Sequence, residues 1–198
     1  MREVELKAVV PDVDALRARL AAAGATRTYV GALEDRRYDT PDRSLFARDE
    51  VLRIRVYRPA DGAVRAFEDR KGPTEYASGY KVREEHSTSI EDLDAHVASL
   101  ESRGFEVTRE IDRDIEMFSL GAATVRIERY PRLDVLVEVE GTPEAIEHAI
   151  AQTGLLRSTF TTGRLTDFAE AFQARTGVRA ALSARELRGD YRYREDQA

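Results

Sequence analysis

The sequence predicts an α+β fold in which antiparallel strands dominate, and three observations carry that expectation. Four segments alternate charged with apolar residues at period two: Glu3-Val4-Glu5-Leu6-Lys7-Ala8, Leu52-Arg53-Ile54-Arg55-Val56, Tyr80-Lys81-Val82-Arg83-Glu84-Glu85 and Leu136-Val137-Glu138-Val139-Glu140. As strands, each has one charged face and one largely apolar face. Between them, apolar residues recur at helical spacing, as in Val13, Leu16 and Leu20 or Leu93, Val97 and Leu100. No linker divides the 198 residues, a length suited to one substantial domain.

Taken in order, Arg2 to Val10 reads as a strand. Pro11-Asp12 turns the chain and caps a helix that runs to Gly24. Tyr29 to Leu33 reads as a strand and Glu34 to Asp42, with its Thr40-Pro41-Asp42 turn, as a loop. Val51 to Arg58 and Ala63 to Lys71 form a hairpin around Pro59-Ala60-Asp61-Gly62. Gly72-Pro73 ends it and opens a small-residue loop through Gly79. Lys81 to Ser89 is a strand, Ile90 to Leu100 a helix closed by Gly104, and Glu110 to Phe118 with Thr124 to Arg129 a second hairpin. Leu133 to Glu140 follows, then a helix opened by Thr142-Pro143 and ended by Gly154, and a last helix through Leu165, Phe168 and Phe172 that stops at Gly177. Strand, helix, glycine, strand occurs twice, which points to an internal duplication. The expected domain is 1–178. Residues 179–198, short of core-forming side chains, are expected to be a charged extension, loosely helical or disordered.

Composition excludes several classes. A net charge of −6 argues against a nucleic-acid partner, which needs a basic footprint. No apolar run approaches the roughly 20 residues of a membrane helix. The chain contains no cysteine, so disulfides and thiolate metal sites are out, and the first residues lead straight into a charged strand; both fit a cytoplasmic protein. His86, His96 and His148 lack ligand spacing and read as surface residues.

If the apolar strand faces pack under helices, the charged faces meet either as an open solvated sheet or as the lining of a closed barrel. A lining would gather Glu3, Glu5, Glu85, Glu138 and Glu140 with Lys7, Arg53, Arg55, Lys71, Lys81, Arg83, Arg113 and Arg126. Burying each ion costs several kcal/mol unless partners, water or ligand satisfy it. Clustered carboxylates suit hard cations such as Mg²⁺ or Mn²⁺, while guanidinium forks and ammonium groups suit phosphate oxygens. Both together suit a metal-bound polyphosphate.

These residues carry a resemblance. Glu3-x-Glu5-x-Lys7, Asp35-x-x-Tyr38-Asp39-Thr40-Pro41, Arg53-x-Arg55, Lys71-Gly72-Pro73, Lys81-x-Arg83-Glu84-Glu85 and Glu138-x-Glu140 occur in the order found in the CYTH, or triphosphate tunnel metalloenzyme, superfamily. The chain looks most like its class IV adenylyl cyclase branch over roughly residues 1 to 170. The resemblance implies an eight-stranded antiparallel β-barrel, the triphosphate tunnel, with helices packed outside. It implies Glu3, Glu5, Glu85, Glu138 and Glu140 as ligands of Mg²⁺ or Mn²⁺. It also implies Lys7, Arg53, Arg55 and Lys71 as the catalytic charge clamp, joined by Lys81, Arg83, Arg113 and Arg126 in binding substrate. Four positions depart from the pattern: Ser87 replaces a glutamate, Ile111 a lysine with Arg109 as a substitute, Glu128 an aspartate and Asp134 a glycine.

The implied reaction is conversion of ATP to cyclic AMP and pyrophosphate. The alternatives are hydrolysis of inorganic triphosphate, thiamine triphosphate or a nucleoside triphosphate, and a module that binds such ligands without turnover. The implied partner is therefore a small triphosphate rather than nucleic acid or membrane, and the implied assembly a homodimer.

Overall fold

The computed structural model describes residues 2–193. The strands are β1 (Arg2–Val9), β2 (Thr26–Asp39), β3 (Val51–Pro59), β4 (Arg65–Lys71), β5 (Glu75–Ala77), β6 (Tyr80–Ile90), β7 (Glu106–Leu120), β8 (Ala123–Arg129) and β9 (Leu136–Glu140). The helices are α1 (Val13–Ala22), α2 (Ser44–Ala47), α3 (Leu93–Ser102), α4 (Pro143–Thr153), α5 (Leu165–Thr176) and α6 (Ala184–Leu187). Strands pair in the order β1-β9-β8-β7-β2-β3-β4-β6, all antiparallel, and β6 returns to β1 through Glu3 opposite Arg83 and Glu5 opposite Lys81. The sheet is thus a closed eight-stranded barrel, with β5 an extra strand on β6.

That pairing map is unchanged when β1 to β4 are exchanged with β6 to β9, each unit being a strand, a helix and a three-strand meander. The repeat anticipated from the sequence has its counterpart here: lead strand pairs lead strand, and each meander closes onto the other unit's lead strand.

The apolar strand faces point outward, under the helices. Leu6, Ala8, Val125, Val137 and Val139 pack with Leu16 and Leu20 of α1 and Ile146, Ala149 and Ile150 of α4. Tyr38, Leu52, Ile54, Val56 and Ala66 pack with Leu100 of α3. Fully burying one large aliphatic side chain stabilises by about 1.5–3 kcal/mol, so these two layers supply the free energy that offsets a charged interior. Helix starts follow their caps: Asp12, Asp92 and Thr142 accept from Ala15 N, Ala95 N and Ala145 N at 2.9, 3.0 and 3.3 Å. Gly31 sits where β2 presses on β3: a Cβ there would lie 2.3 Å from Arg58 O, at φ +155°.

Three expectations are corrected. Glu34 to Asp39 is not loop but the second half of β2. Charges on both faces disguised it: Asp35 faces inward, while Glu34 and Arg36 find partners outside in Arg58 at 2.8 Å and Asp112 at 2.7 Å. Residues 75–77 form β5, hairpinned onto β6 through Ser78 and Gly79, both at positive φ. The segment from Arg179, anticipated as a loose extension, is built into the barrel wall. Ala180, Ala181 and Leu182 are fully buried, Ala181 and Arg132 exchange backbone hydrogen bonds at 2.8 and 3.0 Å, and Asp112 N donates to Leu182 O at 2.8 Å. Ala180 and Ala181 let the segment approach the barrel closely, and the large side chain of Leu182 is buried beside them. Residues 194–198 of the anticipated extension lie outside the described residues.

Candidate functional site

Because Val4, Leu6 and Ala8 of β1 turn to the outer core, period two sends Glu3, Glu5 and Lys7 into the barrel. The same parity places Asp35, Arg53, Arg55, Asp69, Arg113, Arg126, Glu128 and Glu138 inside, each buried. Their ion pairs form a belt round the circumference. Glu85 meets Arg53 at 3.0 Å, Arg53 meets Asp69 at 2.8 Å and approaches Asp35 to 3.7 Å, and Asp35 takes Arg55 at 2.9 Å and Arg113 at 3.1 Å. Glu128 then bridges Arg113 at 3.0 Å and Arg126 at 2.9 Å, and Arg126 also pairs with Glu138. Glu138 meets Lys7 at 2.5 Å, Lys7 meets Glu5 at 2.8 Å, and Glu5 meets Lys81 at 2.6 Å on β6, the strand where the belt began. Lys71 joins Glu3 and Glu85. Alternating signs at these distances are what make so many buried ions tolerable.

Beyond the belt, towards α5, positive charge accumulates. Arg37 lies directly opposite Arg109 on β7 and Arg53 on β3, so three guanidiniums form one cross-strand row. Burial, with Arg109 and Arg53 beside it, pulls the pKa of Arg37 down to about 9. Arg83 donates to the carbonyls of Gly72 and Asp49 at 2.7 and 2.5 Å, and Arg164 reaches Asp49 at 3.4 Å at the mouth. Arg37, Arg83, Arg109 and Arg164, with the belt residues other than Asp69 and Glu85, line a cavity of about 100 Å³. Opposed like charges are an unstable arrangement in isolation and a receptive one for an anion.

The sequence-predicted residues therefore converge: Glu3, Glu5, Lys7, Arg53, Arg55, Lys71, Lys81, Arg83, Arg113, Arg126 and Glu138 line one cavity. Glu140 and Glu85 line the far end of the tunnel, together with Glu3, Arg55 and Arg126. Arg37 and Asp69 were missed. Continuing the alternation Leu33, Asp35, Arg37 through the supposed loop would have found Arg37, and Asp69 follows from Arg53 by pairing across the β3–β4 hairpin. The departures are absorbed locally. Ser87 Oγ donates to Asp69 at 2.7 Å, and Glu128 accepts from Arg113, Arg126 and, at 2.7 Å, the Tyr130 hydroxyl. Arg109 lines the cavity beside Ile111, and Asp134 lies away from it, paired with Arg175 at 2.7 Å.

As a metal centre the carboxylates are unequal. Lysines and arginines engage Glu3, Glu5, Glu85 and Glu138 in the pairs above; Lys71 overcomes the effect of burial and takes Glu3 down to about 2. Glu140 goes the other way: burial, then the charges of Glu138 and Glu3, raise it to about 7. Among the described residues, no three carboxylates or imidazoles converge to enclose an ion by themselves. The donor set fits a cation held by one or two of these carboxylates and completed by phosphate oxygens and water, the habit of Mg²⁺. Glu140, crowded by two carboxylates, is the arm such an ion would relieve.

The Glu140 shift has a thermodynamic consequence for metal-free protein. Unfolded, the group ionises near its ordinary 4.5; folded, it keeps its proton to about 7. Its contribution is full below the unfolded value and is lost as pH rises through the folded one, a change of about 3 kcal/mol at 1.36 kcal/mol per pH unit. Urea unfolding at pH 5 and pH 8 is expected to show this loss in the native chain and not in Glu140→Gln. An identical pH response in the two would refute it.

Comparisons with known proteins agree with this architecture. Residues 1–162 match the CYTH domain. A candidate adenylate cyclase from Vibrio parahaemolyticus superposes with a TM-score of 0.72 at 22% identity, over 85% of this chain and 97% of that one. A Pyrococcus horikoshii protein does so with a TM-score of 0.70 at 24% identity, over 83% and 96%. A candidate adenylyl cyclase from Hippeastrum with a dominant triphosphatase activity gives 0.57 at 16% identity, over 95% of each chain. No curated protein matches the chain. With motifs, closed barrel and family match over most of its length in agreement, the chain belongs to the CYTH domain family.

Proposed function

We propose that this chain is a metal-dependent enzyme acting on triphosphates, and that its reaction is the cyclisation of ATP to cyclic AMP with release of pyrophosphate. The observation that carries the reading is the enclosed charge belt followed by the Arg109, Arg37, Arg53 row, three cationic side chains on adjacent strands where a polyphosphate would lie. The candidate adenylate cyclase from Vibrio parahaemolyticus, which shares this architecture, supports the choice of reaction.

In this reaction the ribose 3′-oxygen forms a bond to the α-phosphorus, the bond from that phosphorus to the bridging oxygen breaks, and the hydroxyl proton is released. Pyrophosphate carries away the electron pair. Lys71, Arg53, Arg37 and Arg109 would hold its oxygens and stabilise the charge that grows on them, Lys71 and Arg53 fixed beforehand by their ion pairs and Arg37 and Arg109 by their places in the barrel wall. Lys7, Arg55, Arg113 and Arg126 keep the carboxylates in place and complete the positive wall. A divalent cation held by Glu140 with Glu3 or Glu138 would neutralise the triphosphate and acidify the hydroxyl.

Hydrolysis is the second reading, favoured by the Hippeastrum neighbour with its dominant triphosphatase activity. Both reactions use the same clamp and differ in the nucleophile. Incubation with Mg²⁺ or Mn²⁺ and ATP, and separately with tripolyphosphate, with cyclic AMP, pyrophosphate and orthophosphate resolved, separates them. The expected products from ATP are cyclic AMP and pyrophosphate. Orthophosphate without cyclic AMP would establish hydrolysis, and no product from either would overturn both.

A further inference from the structure

The mouth of the charged cavity carries an anion of its own. Between α2 and β3 the chain turns tightly, with Asp49 N donating to Phe46 O at 3.0 Å, and Asp49 takes the left-handed conformation at φ +54°. Outside glycine, Asp and Asn are among the residues that tolerate this region best. Three chain segments meet on the residue. The Thr74 amide, between β4 and β5, donates to its Oδ2 at 2.6 Å; Arg83 of β6 donates to its carbonyl at 2.5 Å; and Arg164, where α5 begins, reaches Oδ1 at 3.4 Å. Asp49, Arg83 and Arg164 all line the cavity. Burial alone would raise the pKa of Asp49, but the Thr74 hydrogen bond and the charges of Arg83 and Arg164 lower it, so the group is an anion at neutral pH.

The three ties are unequal. Those to Thr74 and Arg83 are short, and Arg83 is held a second time by Gly72 O at 2.7 Å. The contact with Arg164 is long, and with side chains 36% and 41% exposed such an ion pair contributes little stability. Arg164 is fixed through its backbone instead: its N donates to Asp167 Oδ2 at 2.7 Å, and its carbonyl accepts from Asp167 N at 3.0 Å. The guanidinium can therefore turn away while the carboxylate, pinned by Thr74, stays. A phosphate group entering the mouth brings more charge and more acceptor oxygens than one carboxylate, and a guanidinium fork suits it better.

We propose that Asp49 is a built-in counter-ion of the mouth, which holds Arg164 in the empty site and gives it up to a phosphate group of the bound ligand. This rests on the triphosphate reading above and adds a regulation of the same site. Arg164 has a partner when no ligand is present, and every ligand must break that contact on entry. Asp49 thus sets the affinity below what the cations alone would give.

The test titrates tripolyphosphate with Mg²⁺ into the full chain by calorimetry, at about 0.15 M salt so that direct repulsion between exposed charges is screened. Native protein is compared with Asp49→Asn, Arg164→Gln and the double variant. Asparagine accepts the positive φ and keeps an acceptor for Thr74 N. Asp49→Asn is expected to tighten binding about three- to fivefold and Arg164→Gln to weaken it by a similar factor. Made in the Arg164→Gln protein, Asp49→Asn is expected to change affinity by under about 1.5-fold, because the contact it releases is already gone. Weaker binding by Asp49→Asn would make the residue a structural tie, and an equal gain with and without Arg164 would reduce it to plain repulsion. Either result, or no change in either single variant, would overturn the proposal while leaving the triphosphate site standing. A native chain that binds no tripolyphosphate would remove both readings.

Discussion

Asp35→Ala is expected to lower the unfolding midpoint by about 10 °C. Asp35 is 2% exposed and is the counter-ion where Arg55 and Arg113 meet, at 2.9 and 3.1 Å, with Arg53 at 3.7 Å. Burial alone would push its carboxyl up; these guanidiniums instead hold it well below the usual carboxylate range. Removing it leaves buried cations without their shared partner, a loss of about 3–5 kcal/mol, which for a domain of this size corresponds to roughly that shift. Glu34→Ala, one residue away on the outer face and paired only with exposed Arg58, should cost under about 0.5 kcal/mol. Acid should act in the same direction. A depressed carboxyl contributes stability above its unfolded pKa and loses it as pH falls, so the native chain should weaken below about pH 4. A loss under 1 kcal/mol in Asp35→Ala would mean that the belt is ornament rather than framework.

How much of this was legible in the sequence depends on which neighbour fixed a residue's direction. Glu3, Glu5 and Lys7 were readable because Val4, Leu6 and Ala8 declare the other face, and Arg53 and Arg55 because Leu52, Ile54 and Val56 do. Arg37 was missed because Glu34, Arg36 and Arg37 place charge on both faces of β2 and mask the alternation that runs from Leu33 through Asp35; Glu34 and Arg36 turn outward to Arg58 and Asp112, which are remote in sequence. The buried stretch Ala180 to Leu182 escaped for a related reason: one large side chain after two alanines shows no periodicity, and the segment is buried by lying against β7 and Arg132. The carboxylates were recognised as a group, yet their division into lysine-held Glu3, Glu5 and Glu138 and a proton-retaining Glu140 depends on distances that alternation does not carry.

Arg53→Ala is expected to lower kcat/KM on ATP, or on tripolyphosphate if hydrolysis proves to be the reaction, by about 10²–10³-fold, the usual loss when one preorganised donor to a developing anion is removed. Arg53 is singled out because it belongs to both halves of the site: Nε donates to Asp69 at 2.8 Å and its terminal nitrogen to Glu85 at 3.0 Å, while across the sheet it faces Arg37. The belt fixes the guanidinium, and the arginine row makes it count. Arg53→Lys keeps the charge but gives up the fork, so it should recover only part of the loss, mostly in KM. Arg58→Ala, on the same strand but pointing outward to Glu34, should leave the rate within about twofold. Because Asp69 and Glu85 lose a partner, Arg53→Ala will also be less stable, so rates are to be compared below its own unfolding midpoint. A rate within threefold of the native chain, with folding intact, would take Arg53 out of the phosphate clamp and leave it a purely structural ion, and with it the argument that belt and anion site are one construction.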